Sequence, residues 1–233
     1  MLEAIQEAHG IDKPVWLSET NAMPSDDRQT PCWQQHADDP YRTTLQEQAA
    51  FGVQAFALAA AAGYQRIAFY KMVDDHPCQQ SSLWGLFRDD GTPRPVATAL
   101  GAAIHSFSGF SRARFVPLAR NTERWSSPYV PNWRVYQVVF DRPGNERVTV
   151  LWNGDATPLH VRPPAHAADV VDLTTGSVRP LGDSIDLPGA TATFHITDAI
   201  RDPDGYHYIG GQPVLILEHG IVPNTPVDPP SLL

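Results

Sequence analysis

The feature that most constrains this chain is a change in apolar patterning near residue 110. Before it, helical spacing alternates with short unbroken apolar runs. Residues 1–9 put Leu2, Ile5 and Ala8 on one helix face, and Gly10 follows where a helix end favours glycine. Residues 43–62 carry Leu45, Ala49, Val53, Phe56 and Ala60 at helical spacing, with Thr43 or Thr44 and Glu47 as capping signals and Gly63 as the stop. Residues 95–107 predict a third helix with proline at its start. Between the helices, residues 15–18 and 67–70 are short apolar runs without alternation, the pattern of parallel strands buried on both faces. Residues 83–87 followed by Asp89-Asp90-Gly91 read as a small hairpin with an Asp-Gly turn. Helix, strand, helix, strand, helix implies βα units and a parallel sheet.

Beyond residue 110 the helical spacing disappears. Strands are predicted at 114–118, 134–140, 147–152, 159–162, 169–173, 177–181, 191–196 and 214–218. Turn signals such as Pro143-Gly144-Asn145 and Asn153-Gly154-Asp155 separate them, which predicts an antiparallel β-sandwich. Alternation puts Val148, Val150 and Trp152 on one face, read as core. The division expected is therefore an α/β region over 1–109, a sandwich over 110–220, and an irregular proline-rich tail over 221–233.

Composition narrows the function classes. With 26 acidic against 17 basic residues the net charge is -9, which argues against a nucleic-acid partner. The longest apolar stretch, 56–63, is mostly alanine and too short to span a bilayer, so no membrane role is expected. The first residues lack the basic start and apolar core of a signal peptide. Cys32 and Cys78 both fall in predicted loops, leaving free thiols, a disulfide, or a zinc site with His36, Asp74 and His76 all open. No cofactor and no metal are called for.

The residue pattern with most chemical content is Trp16-Leu17-Ser18-Glu19-Thr20, which puts a carboxylate at the end of the first apolar run. In a parallel barrel, chemistry sits at the carboxyl ends of the strands. Glu19 is thus a candidate nucleophile, the plain alternative being a strand-end acid paired with Arg28 or Lys71. Asn21 and Tyr70 are candidate hydrogen-bond donors beside it. Tyr70 and Lys71 end the second run and would face a ligand there. Trp33 in the long loop 21–41 is the better candidate for a ligand contact, through its aromatic surface. Trp84 could stack on a ligand, although its Leu-Trp-Gly-Leu context reads first as packing. Asp74-Asp75 reads by default as a solvated turn.

The ordered set of these segments resembles the C-terminal part of clan A retaining glycoside hydrolases. Lys13-Pro14-Val15-Trp16-Leu17-Ser18-Glu19-Thr20 is similar to that family's seventh strand and nucleophile, and Ile67-Ala68-Phe69-Tyr70-Lys71 to its eighth. Trp84-Gly85-Leu86-Phe87 through Asp90-Gly91 to Arg94-Pro95 looks like the segment before its last barrel helix. The runs 148–153, 170–176 and 206–214 are similar to strands of the trailing sandwich. The resemblance implies a fold class of α/β plus all-β: the last two βα units of an incomplete TIM barrel, followed by an antiparallel β-sandwich. It implies a carbohydrate substrate, with Glu19 as nucleophile and Asn21, Trp33, Tyr70, Lys71 and Trp84 as substrate contacts. It also implies an acid/base glutamate on the family's fourth strand, and no matching Asn-Glu string precedes Glu19. The expectation is a chain inactive alone, with barrel strands one to six supplied from elsewhere, a separate second chain being one alternative. The competing reading is a non-catalytic carbohydrate-binding or scaffold protein.

Overall fold

The computed structural model describes residues 2–31, 33, 42–75, 83–120, 133–155, 157–163, 168–173, 175–195, 206–222 and 225–232. The first part runs α1 (Leu2–Ala8), β1 (Trp16–Thr20), β2 (Met23–Pro24), β3 (Arg42–Thr43), α2 (Leu45–Ala61), β4 (Arg66–Phe69) and α3 (Pro95–Phe107). Thr44 caps α2 with a complete capping box: its hydroxyl accepts the Glu47 N–H at 3.1 Å, and the Glu47 carboxylate accepts the Thr44 N–H at 2.6 Å. Asp26 takes the Leu45 N–H at 2.7 Å, so another orphan donor of the first turn is satisfied from the neighbouring loop. Pro95 opens α3 at the position where its missing N–H costs nothing.

β1 and β4 pair in parallel, Leu17 opposite Ile67 and Thr20 opposite Phe69, with a bulge between. They form a two-stranded sheet. Leu17, Ile67 and Phe69 are half-buried, and Phe69 packs against the core formed with α2 and α3. The other face is open: Trp16 is 56% exposed, and Ser18, Glu19, Arg66 and Ala68 are exposed beside it. This corrects the expectation that both strands are buried on both faces. Lack of alternation in so short a run reflects the intended cover of a sheet, and among the described residues only one face has that cover.

The second part contains β5 (Arg112–Phe115), β6 (Leu118–Arg120), β7 (Trp133–Arg142), β8 (Glu146–Asn153), β9 (Leu159–Arg162), β10 (Ala168–Val171), β11 (Val178–Pro180), β12 (Ile185–Leu187), β13 (Thr191–His195), β14 (Tyr206–Ile209), β15 (Val214–Glu218) and β16 (Ser231–Leu232). An antiparallel seven-stranded sheet has the order β11-β10-β15-β8-β7-β5, with β6 also on β7. A three-stranded sheet, β12-β9-β16, lies against it.

The large sheet is covered on both faces. Val138, Phe140, Val148, Val150 and Trp152 meet Val53, Ala57, Val96, Leu100 and Phe107 of α2 and α3 in one continuous cluster. Phe107 stacks on Phe140 with ring centroids 4.2 Å apart. On the opposite face Val135, Leu151 and Ile216 pack against Val161, Ile185 and Leu187 of the small sheet. Strand alternation therefore divides two apolar layers, and Trp152 faces the core as its spacing predicts. The boundary expected at 109/110 is crossed by that helix–sheet core. Gln54 of α2 strengthens the join, donating to the carbonyls of Gly210 and Gly211 at 3.0 and 2.9 Å and accepting the Gly210 N–H.

The tail is less irregular than its prolines suggest. Its carbonyls remain good acceptors: Thr225 takes a 2.8 Å bond from buried Arg147, and Asp228 a 3.2 Å bond from buried Gln137. Ser231 and Leu232 then pair with β9. Among the described residues no helix is long and apolar enough to cross a membrane.

Candidate active site

Parallel pairing brings the carboxyl ends of β1 and β4 together, and most of the candidate residues gather there. Glu19 is exposed, within the register shift between Leu17 and Thr20. Among the described residues, neither Arg28 nor Lys71 bonds its carboxylate. Lys71 instead pairs with Asp75, and Arg28 lies 5.9 Å from the Trp33 ring centre in a cation–π contact.

Asn21 turns out to be the junction of the site. Its side-chain N–H groups donate to the Tyr70 carbonyl at 2.8 Å and the Trp84 carbonyl at 2.6 Å, and its oxygen accepts the Ala22 N–H at 2.8 Å. The Trp84 carbonyl also accepts the Lys71 N–H at 3.1 Å, and the Tyr70 N–H donates to Thr20. Strand ends β1 and β4 and the segment 84–87 are thereby tied together by backbone groups. Tyr70 is 41% exposed, Lys71 lies 5.7 Å from its ring centre, and Trp84 is half-buried. The peptide bond between Tyr70 and Lys71 is cis. Cys32, His36, His76, Cys78 and Trp125 lie outside the described residues.

Sequence reasoning missed the groups that hold this end of the sheet. Asp27, Thr30, Asp74, Arg88 and Arg94 form a buried ionic cluster beneath the loops. Asp27 accepts from Arg88 at 3.0 Å and from Arg94 at 2.7 Å, and Asp74 accepts from Arg94 at 2.6 Å. Burial pushes the Asp27 carboxyl upward in pKa. Hydrogen bonds from Arg88 and Arg94, the Arg94 charge and the Thr30 hydroxyl outweigh that and leave it below the usual carboxylate value. Burial likewise works against the Arg94 charge, but Asp74 and Asp27 more than compensate and raise its pKa. Asp74 is thus no solvated turn acid, a correction with a clear cause: Arg94 needs a carboxylate in a place without water. One sequence signal was available. Arg94 occupies the N-cap of α3 and makes no capping bond there, a position usually held by Ser, Thr, Asp or Asn.

Chemically, the arrangement offers the exposed Glu19 carboxylate, with an aromatic and a lysine paired to Asp75 on the adjoining strand end. Among the described residues, no group of three or more His, Cys, Asp or Glu side chains is gathered as metal ligands.

No protein-family model matches this sequence, and no curated protein matches it. Solved structures do. A family 39 glycoside hydrolase from the gut symbiont Bacteroides cellulosilyticus WH2 is similar over 93% of this chain and 37% of its own, with a TM-score of 0.57 and 16% identity. The GH51 arabinofuranosidase from Xanthomonas axonopodis pv. citri covers 93% of this chain and 42% of its own at a TM-score of 0.45 and 12% identity. The catalytic domain of GH30 xylanase C from Talaromyces cellulolyticus covers 89% and 41% at 0.41 and 11%. The chain spans about two fifths of the length of these structures. At 16% identity the likeness to the family 39 enzyme establishes the fold alone, a mixed α/β arrangement similar to part of that glycoside hydrolase.

Proposed function

We propose that this chain carries the nucleophile side of a retaining glycoside hydrolase. In this reading β1 and β4 are the last two strands of a (β/α)8 barrel, and the sheets after residue 110 are its accessory β-sandwich. One observation carries the reading: Glu19 stands exposed at the carboxyl end of a parallel strand, in a fold shared with a glycoside hydrolase.

Glu19 attacks the anomeric carbon and forms a glycosyl–enzyme ester while the C–O bond to the leaving group breaks. A second carboxylic acid gives its proton to the leaving oxygen, then takes one from the water that hydrolyses the ester. That second group comes from outside these 233 residues, with the rest of the barrel, so the isolated chain does not turn over. Tyr70, Lys71, Trp84 and Trp33 line the sugar side. Asn21, its amide already engaged by backbone carbonyls, serves the sugar by holding the strand ends in place. The open face of β1 and β4 supports this division, because parallel strands are normally covered on both sides.

The test is covalent trapping. Activated 2-deoxy-2-fluoroglycosides of pentoses and hexoses are applied to the full natural assembly that contains this sequence, and its peptides are weighed. A glycosyl mass on the peptide bearing Glu19, lost in Glu19→Gln, is the expected result. Labelling of a different carboxylate, with Glu19→Gln fully active, refutes the assignment. Cleavage of aryl glycosides by the isolated 233-residue chain refutes the claim that it lacks half of the site.

A further inference from the structure

Arg94 uses every N–H of its guanidinium in a place sealed from water. Nε donates to Asp27 at 2.7 Å, Nη1 to Asp74 at 3.1 Å and to the Gly85 carbonyl at 2.7 Å, and Nη2 to Asp74 at 2.6 Å and to Thr30 at 3.2 Å. Asp74 completes a ring by accepting the Gly85 N–H at 2.6 Å. Both sides of Gly85 are therefore clamped by one ion pair. The clamp is close: a Cβ on Gly85 would fall against the Phe87 carbonyl oxygen and 2.6 Å from the Asp74 nitrogen.

The next carbonyl upstream is that of Trp84, which receives the Asn21 amide and the Lys71 N–H. Asp27 and Thr30 follow β2 in the connection from β1 to α2, and Asp74 lies on the segment after β4. One guanidinium thus binds the loops that leave both strands, together with the segment that carries Trp84. Stability alone does not call for charge here, because well-packed apolar groups can replace a buried ion network at little cost or at a gain. What the planar fork of arginine adds is fixed direction at several acceptors at once.

We propose that Arg94 is a positioning residue for the site around Glu19. Through Gly85 it sets the Trp84 carbonyl, through that carbonyl the Asn21 amide, and so the placing of the β1 end relative to Trp84, Tyr70 and Lys71. The proposal rests on the reading of these residues as a sugar site, but its test does not use a sugar.

The 15N-labelled 233-residue chain is compared with Arg94→Lys, which keeps the charge and loses the fork, and with Asp74→Asn, which spares the Arg94–Asp27 pair. The readouts are the Asn21 side-chain amide, the Trp84 indole signal and, as reference, the Val150 backbone amide in the sheet core. We expect Asn21 amide exchange about tenfold faster and a moved Trp84 indole signal, with Val150 exchange unchanged, as for local rather than global opening. If Arg94→Lys does not fold, Asp74→Asn decides. Unchanged Asn21 and Trp84 signals in the folded variants overturn the proposal, as does a change that only tracks Val150. A positive result combined with failed labelling of Glu19 would leave the positioning intact and remove the hydrolase reading.

Discussion

Two sheets in this molecule carry similar apolar strands and meet opposite fates. In the large sheet Trp152 is 2% exposed, enclosed between α2, α3 and its own neighbours. In the pair β1–β4, Trp16 is 56% exposed, with the Arg66 guanidinium over its ring at 4.6 Å from the centre. Apolar character did not decide between them; cover did. Among the described residues the large sheet has a layer on each face, whereas the parallel pair has one layer and an open side that carries Trp16. Stability is concentrated in the first region, and the chemistry proposed here in the second.

The largest expected effect tests whether the helices and the large sheet share one core. Trp152 stacks on Tyr136 at 5.1 Å, and Gly210 lies so close to its indole that a Cβ would collide with it. Trp152→Ala should cost about 3–5 kcal/mol, by lost burial and the cavity left behind. Because Phe107, Val96 and Val53 line the same cluster, helix and strand signals should fall in one transition at lower denaturant. Separate transitions for helical circular dichroism and tryptophan fluorescence would break the idea of a single unit.

A smaller effect comes from the ionic cluster that braces the open pair. Asp27 has a folded pKa below its ordinary value of 3.8, so its contribution is fully present above that value. It is lost as pH falls through 3.8 towards the lower folded value. The unfolding free energy from denaturant titrations run between pH 6 and pH 2.5 should drop in that window, by at most about 1.8 kcal/mol, the limit for one proton over the interval below 3.8. Asp27→Asn should start lower and show a flatter acid limb. An unchanged limb would mean that Asp27 is not the group being titrated.

These contrasts also explain what the sequence made legible. The bounds of α3 and the inward face of Trp152 follow from local spacing, Pro95 and strand alternation, each a short-range signal. The capping box of Thr44 and Glu47 was legible for the same reason. The gathering of Glu19, Tyr70 and Lys71 at one end was legible once two parallel strands were assumed. The cluster of Asp27, Asp74, Arg88 and Arg94 was not. Its partners are 20 to 67 residues apart, and in sequence each looks like an ordinary loop charge. Nor was the engagement of Asn21, since its acceptors are carbonyls 49 and 63 residues away. The tail strand β16 was hidden by prolines, which advertise missing donors while leaving their acceptors unmentioned.

The smallest effect belongs to Trp16 itself, and it bears most directly on the open face. In the isolated chain its indole gives little burial, so Trp16→Ser should cost only the exposed cation–π contact with Arg66, about 0.5–1 kcal/mol. Denaturant unfolding of the 233-residue chain measures this. If the same substitution is made in the complete barrel proposed above, where further strands would cover β1, Trp16 would be a buried aromatic, and its truncation should cost about 3–5 kcal/mol. The difference between the two measurements reports the cover. A cost of several kcal/mol already in the isolated chain would mean that the face beside Glu19 is closed without help. The contrast between the two sheets would then be one of arrangement rather than of cover.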